Sequence, residues 1–256
     1  MSRRRLPPAP CIEYGDHPDQ VANLHLPAQE GGPWPCVALL HGGFWRTGWD
    51  RTLMTALATD LARRGIAAWN IEYRRVGEEG GGWPGTFADV AAAIDRLVEV
   101  EEVDVARVAT CGHSAGGHLA LWLAGRHRLH AGAIGADARV RPVAAIAQAG
   151  VSDLERAWRD DLGRSAVEGL LGAFRGDGDR YATTSPAALA PLGVPQLLVH
   201  GTDDDIVPIS QSRDHAARDP LAELVELDGA DHFDVVDVDH AAWGAVIDRL
   251  QSLLSS

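Results

Sequence analysis

Four stretches of this chain are apolar without alternation, and each runs into glycine: "CVALLHGG" (36–43), "VATCG" (108–112), "VAAIAQAG" (143–150) and "PQLLVHG" (195–201). A strand with one face in water alternates polar and apolar residues, whereas a strand covered on both faces does not. Such strands need helices above and below them. The intervals supply helical patterns, notably "DRTLMTALATDLARR" (50–64) and "PGTFADVAAAIDRLVEV" (84–100). In the second, Phe87, Val90, Ala91, Ile94, Leu97 and Val98 share a face, and Thr86 with Asp89 has the spacing of a capping box. "GIAAWNIEY" (65–73) and "AELVEL" (222–227) add two strands, and "CIEYG" with "VANLHLP" an antiparallel pair at one edge. The closing helix carries Trp243, Val246, Ile247, Leu250 and Leu254 on one stripe. The expectation is one α/β domain over residues 1–256, a mostly parallel eight-stranded sheet flanked by helices. Residues 151–193 lack a clear strand and are expected to form one or two short helices as a small lid.

Composition excludes several classes of function. A net charge of −13 disfavours nucleic acid and anionic membranes as partners, because both attract basic surfaces. No run approaches the ~20 apolar residues of a membrane-crossing helix, and prolines follow the basic start "MSRRRLPPAPC". The three cysteines form neither a disulfide framework nor a zinc spacing; Cys36 and Cys111 sit in strand-like runs as small hydrophobes. A cytoplasmic location is expected, with no metal and no cofactor.

The stretch "VATCGHSAGGHLALWLAG" (108–125) sets Ser114 between Gly112 and Gly116 where a strand becomes a helix. A turn this sharp strains its central residue and leaves no room for side chains two positions away. Gly117 extends the glycine run and points to a close backbone approach. A hydroxyl is a weak nucleophile at neutral pH, so Ser114 needs a base, and the base needs an orienting group. "HGTDDDIVP" (200–208) puts Asp203, Asp204 and Asp205 after a buried strand, and "GADHFDVV" (229–236) puts His232 in the loop before the last helix. All lie at the carboxyl ends of strands, where open α/β sheets bind ligands. His113, His118 and His200 read as structural and His240 as a helix cap. "HGG" at 41–43 suits amides that bind a developing oxyanion, with donors expected from Gly43, Phe44 and Ala115. Trp45, Trp83 and Phe233 are candidate walls of a substrate pocket, alongside Phe44 and Trp49; bracing of loops is the alternative for Trp45 and Trp83. Glu72, Arg74 and Arg75 in "NIEYRR" read as a structural ion-pair group.

The blocks "HGGFW", "GHSAGGHLA", "HGTDDDIVP" and "GADHFDVV" resemble, in order and spacing, those of the α/β-hydrolase superfamily. That family sets its acid four residues after the histidine of the "HG" strand end and four before the proline, which selects Asp204. "HGG-x-W" with "GHSAG" is similar to the arylformamidase and small carboxylesterase branch, although Phe44 stands where many arylformamidases have tyrosine and Gly117 where alanine is commoner. The resemblance implies an α/β-hydrolase fold and a Ser114–His232–Asp204 serine hydrolase that cleaves a small ester or aryl formamide through an acyl-enzyme. Peptide or thioester hydrolysis, or ligand binding without catalysis, are the alternatives.

Overall fold

The computed structural model describes residues 6–172 and 178–254. Its eight strands are β1 (Cys11–Glu13), β2 (Val21–His25), β3 (Trp34–Leu40), β4 (Ala67–Ile71), β5 (Val103–His113), β6 (Ala144–Gln148), β7 (Gln196–Gly201) and β8 (Ala222–Leu227). They form one sheet in the order β1-β2-β4-β3-β5-β6-β7-β8. The β1–β2 and β2–β4 pairs are antiparallel and all others parallel. The unalternated runs behave as their composition demands: β4, β6 and β7 are buried at every residue, while β8, at the edge, is only partly covered.

Alternate residues of a strand feed opposite layers. Ala38 and Leu40 of β3 join a core with Trp69, Phe87, Leu119 and Trp122, whereas Val37 and Leu39 join one with Leu57, Leu61, Trp243 and Leu250. Helices α2 (Gly85–Asp95) and α3 (Ala115–Gly125) supply the first layer; α1 (Thr55–Arg63) and α9 (Ala241–Leu254) supply the second. Cys36 and Cys111 are fully buried, and burial pushes the Cys36 thiol up to about 12, so both act as small apolar groups.

Two expectations about local structure are corrected. Thr86 and Asp89 do not form a capping box: Pro84 stands at the start of α2 and no side chain caps it. Thr86 instead donates to the Arg74 carbonyl at 2.6 Å, and the buried Asp89 takes the Arg74 guanidinium on both oxygens, at 2.6 and 2.9 Å, together with the Arg74 amide and Gln20. A fixed cation outbids a backbone amide for a buried carboxylate. The described residues of 151–193 hold four short helices rather than one or two: α4 (Leu154–Arg159), α5 (Ala166–Leu171), α6 (Gly178–Thr184) and α7 (Pro186–Leu189). Left-handed backbone at Gly163, Ser165 and Gly172, and Pro186 at a helix start, break the segment into pieces. No helix among the described residues is long and apolar enough to cross a membrane.

Asp89→Ala would strand the Arg74 guanidinium and several donors, and breaking such a pair costs about 3 kcal/mol or more. Urea denaturation at pH 7 should record a loss of that size.

Candidate active site

β5 delivers Ser114 directly into α3, and the backbone there is strained: Ser114 sits at φ 56°, ψ −119°. Such a conformation costs a non-glycine residue about 1–3 kcal/mol and persists only where its surroundings hold it. They do so by close approach. A Cβ on Gly112 would fall 2.1 Å from the Gly116 carbonyl oxygen, and one on Gly116 would fall 2.1 Å from that of Leu40. Helix α3 therefore presses on both its own strand and the neighbouring β3. Gly117 meets Gly150, where a Cβ would be 2.8 Å from the Cα, which accounts for the third glycine. The Ser114 amide donates to Gln148 at 2.8 Å, tying the turn to β6.

His232 follows β8, with Nδ1 donating to Asp204 Oδ2 at 2.7 Å. The lone pair of Nε2 is thereby left free for a proton. Asp204 follows β7, its side chain wholly buried, and every lone pair direction has work. Oδ1 accepts the amides of Ile206 and Val207 at 2.9 and 2.8 Å, and Oδ2 also lies 3.1 Å from His200 Nε2. Burial alone would raise the Asp204 carboxyl, but hydrogen bonds from His200, His232 and Val207 hold it well below the ordinary range. Asp203 and Asp205 are exposed. His200 is fixed in turn by Ser212 and the Val207 carbonyl.

The third segment is the loop after β3. His41 lies between two acceptors, Glu72 Oε1 and the Gly42 carbonyl, each at 2.8 Å, and stacks on Tyr73 at 4.3 Å. Tyr73 donates to the His41 carbonyl. With the Gly42 carbonyl engaged, the plane of the Gly42–Gly43 peptide is fixed, and so is the direction of the Gly43 amide. Gly43, Phe44 and Trp45 then run in positive φ (115°, 52° and 57°). Arg46 anchors the far side by donating to the carbonyls of Gly163 (2.8 Å) and Arg164 (2.6 Å). Ala115 opens α3, and its amide is one of the first-turn N–H groups that a helix leaves without an internal acceptor.

These segments meet at a cavity of about 110 Å³. Ser114 and His232 both line it, together with His113, Gly43 and Phe44. Trp49, Leu53, Ile206 and Phe233 make the rest of its wall apolar. Trp49 and Phe233 stack at 5.7 Å and remain 45% and 41% exposed, so an aromatic pair rims the mouth. Phe233, a candidate pocket wall in the sequence, lines this cavity. Trp45 does not: it is 1% exposed and donates to His118 Nδ1 at 3.2 Å, because the left-handed turn aims its ring inward. Trp83 does not either; it carries the Arg180 guanidinium 4.0 Å above its ring and its amide bonds the Leu170 carbonyl. Both brace loops. Leu53 and Ile206 were not singled out in the sequence, where nothing distinguishes them from core residues. The larger clefts, of about 390 and 540 Å³, lie away from Ser114 and are open and polar. No group of three or more His, Cys, Asp or Glu among the described residues has the geometry of a metal site. Arg75 pairs with Glu78, Asp19 and Glu72, the structural arrangement expected for that cluster.

A family model, BD-FAE, matches residues 22–218, most of the chain, from within β2 to the end of α8 (Ser210–Arg218). The chain belongs to the BD-FAE family. It is a carboxylesterase-like α/β-hydrolase. Among solved structures it is similar to a truncated carbohydrate esterase from gut microbiota, with a TM-score of 0.78 at 18% identity over 100% of this chain and 99% of that one. It is also similar to the Est2 esterase of Thermogutta terrifontis (TM-score 0.76, 24% identity, 97% and 92% coverage). These likenesses establish the fold. In sequence, the chain is 33% identical over 116 residues to a probable isoprenylcysteine alpha-carbonyl methylesterase of Oryza sativa subsp. japonica, covering 43% of this chain and 26% of that protein. A second such probable methylesterase, from Arabidopsis thaliana, is 32% identical over 112 residues, 43% of this chain and 23% of that protein. The chain thus spans about a quarter of the length of these curated relatives.

Buried histidines set a pH dependence of stability. Burial brings His113 down to about 3 and His118 to about 4, and His215, on α8, also to about 4. Each is depressed in the folded state, so its contribution is complete above the unfolded value near 6.5 and is lost as pH falls toward 4. Near pH 5 unfolding should take up close to three protons, a slope of about 4 kcal/mol per pH unit. Stability read from urea midpoints should therefore fall by about 2 kcal/mol from pH 7 to 6 and more steeply, by about 3–4 kcal/mol, from pH 6 to 5, and His118→Gln should reduce each drop by about a third.

Proposed function

We propose that this protein is a serine esterase acting on small carboxylic esters through an acyl-enzyme. One observation carries the reading: a histidine oriented by a buried, fully bonded carboxylate shares a small apolar cavity with a serine held on a strained strand-to-helix turn. His232 Nε2 takes the Ser114 proton as Oγ attacks the ester carbonyl, and the imidazolium that forms is stabilised by Asp204. Negative charge on the carbonyl oxygen falls to the amides of Gly43, Phe44 and Ala115, each such donor being worth about 3 kcal/mol of barrier. His232 then returns the proton to the leaving alkoxide, and water, activated by the same imidazole, releases the acid.

Cavity size argues for the acyl group. A cavity of about 110 Å³ is small, and its apolar wall suits a short acyl chain, acetyl to butyryl. A second reading, cleavage of an aryl formamide, is favoured by the Trp49–Phe233 pair, whose exposed faces suit an aromatic leaving group. Comparing p-nitrophenyl acetate with an N-formylated aniline separates the two.

Ser114→Ala should remove ester hydrolysis and fluorophosphonate labelling alike; labelling that survives the substitution would defeat the assignment. Asp204→Asn should lower kcat by about 10³-fold or more, with Asp203→Asn and Asp205→Asn near wild type. Opening the rim with Phe233→Ala should raise kcat/KM for an octanoate ester relative to the acetate by about 10-fold, read from the chain-length profile.

A further inference from the structure

His113, the residue before Ser114, is not needed by the chemistry above, yet it touches all three segments that perform it. Its ring is 1% exposed. Nε2 lies 2.9 Å from the main-chain carbonyl of His232, an acceptor only, so Nε2 carries the hydrogen and Nδ1 is a bare lone pair. Nδ1 has no hydrogen-bond partner and abuts the oxyanion loop: a Cβ on Gly42 would sit 2.9 Å from it. The ring therefore spans the gap between the oxyanion loop and the histidine loop, while its own backbone leads into the nucleophile. This contact also explains why position 42 is glycine, since a methyl there would meet Nδ1 and, at 3.0 Å, Ser114 Cβ. The ring centroids of His113 and His232 are 4.5 Å apart.

We propose that His113 is a positioning residue: a neutral strut whose Nε2–H holds the His232 main chain so that the His232 imidazole keeps its place between Asp204 and Ser114. The proposal rests on the serine-esterase reading. Neutrality matters because His232 becomes cationic when it takes the serine proton, and a second cation 4.5 Å away would oppose that charge. Burial lowers His113 to about 3, so it is uncharged near neutral pH, where the assay is run. The leftover Nδ1 lone pair is the cost of using a histidine here; a buried acceptor without a partner is uncommon enough to require a reason.

The test compares His113→Leu, which fills the space without a donor, with His113→Gln, whose side-chain amide reaches the same carbonyl. Turnover of p-nitrophenyl acetate is measured for both and for wild type, with folding checked by near-ultraviolet circular dichroism. His113→Leu should lose 10- to 10²-fold in kcat, roughly the effect of a 1 Å misplacement, with KM within about twofold. His113→Gln should recover most of that loss. Full kcat in folded His113→Leu, or a folded His113→Gln no better than His113→Leu, overturns the strut. If His113→Leu does not fold, His113→Asn, whose donor falls one bond short, takes its place in the comparison with the same expected loss. A wild-type protein that neither turns over the ester nor labels at Ser114 overturns the esterase reading instead, and the two failures are thereby distinct.

Discussion

Backbone pressed on backbone is the constraint from which the site follows. Helix α3 can start against β3 only because Gly116 leaves the Leu40 carbonyl uncrowded, and it can fold back on β5 only because Gly112 leaves that of Gly116 uncrowded. Side chains at either position would push the helix outward and relax Ser114 out of its strained conformation. The two central strands, β3 and β5, are hydrogen-bonded neighbours, so the loops leaving them are adjacent before any side chain is considered. Fixed in this way, the Ser114 turn and the loop after β3 need only small devices to align them.

Those devices are mostly electrostatic, and they separate charged groups from neutral ones. Asp204 holds its charge because two amides and two imidazoles bond it. Glu72, buried at the foot of the loop after β3, would be raised by burial but is kept below its usual value by His41, the Arg51 amide and Arg75. His113 and His118, by contrast, are neutral spacers, the latter accepting from Trp45 and donating to the Thr184 carbonyl. Buried carboxylates are tolerated here because hydrogen bonds from amides and imidazoles offset their lost hydration.

Much of this was legible in the sequence, and the reason is local. Unalternated apolar runs marked the parallel strands, and turns after them marked the edge where Ser114, Asp204 and His232 would gather. Sequence spacing alone left three adjacent aspartates equal; which one faces His232 depends on the turn that gives Oδ1 of Asp204 two amides. Trp45 and Trp49 are four residues apart in the same loop, yet one is buried and the other rims the cavity. Left-handed backbone at Gly43, Phe44 and Trp45 reverses which side chains point inward, and hydrophobicity carries no trace of it. Asp89 was misread for a related reason: its partner, Arg74, is distant in sequence from any helix-capping pattern.

The Arg46 side chain couples two parts of the molecule that would otherwise vary independently. Its guanidinium grips the carbonyls of Gly163 and Arg164, between α4 and α5, one residue after the left-handed turn ends at Trp45. Swapping residues 151–193 for the equivalent piece of a relative would therefore do more than reshape the entrance. Unless the donor piece brings two carbonyls to the same spot, the graft releases the anchor of the loop beneath it, so new selectivity and retained catalytic power have to be acquired together.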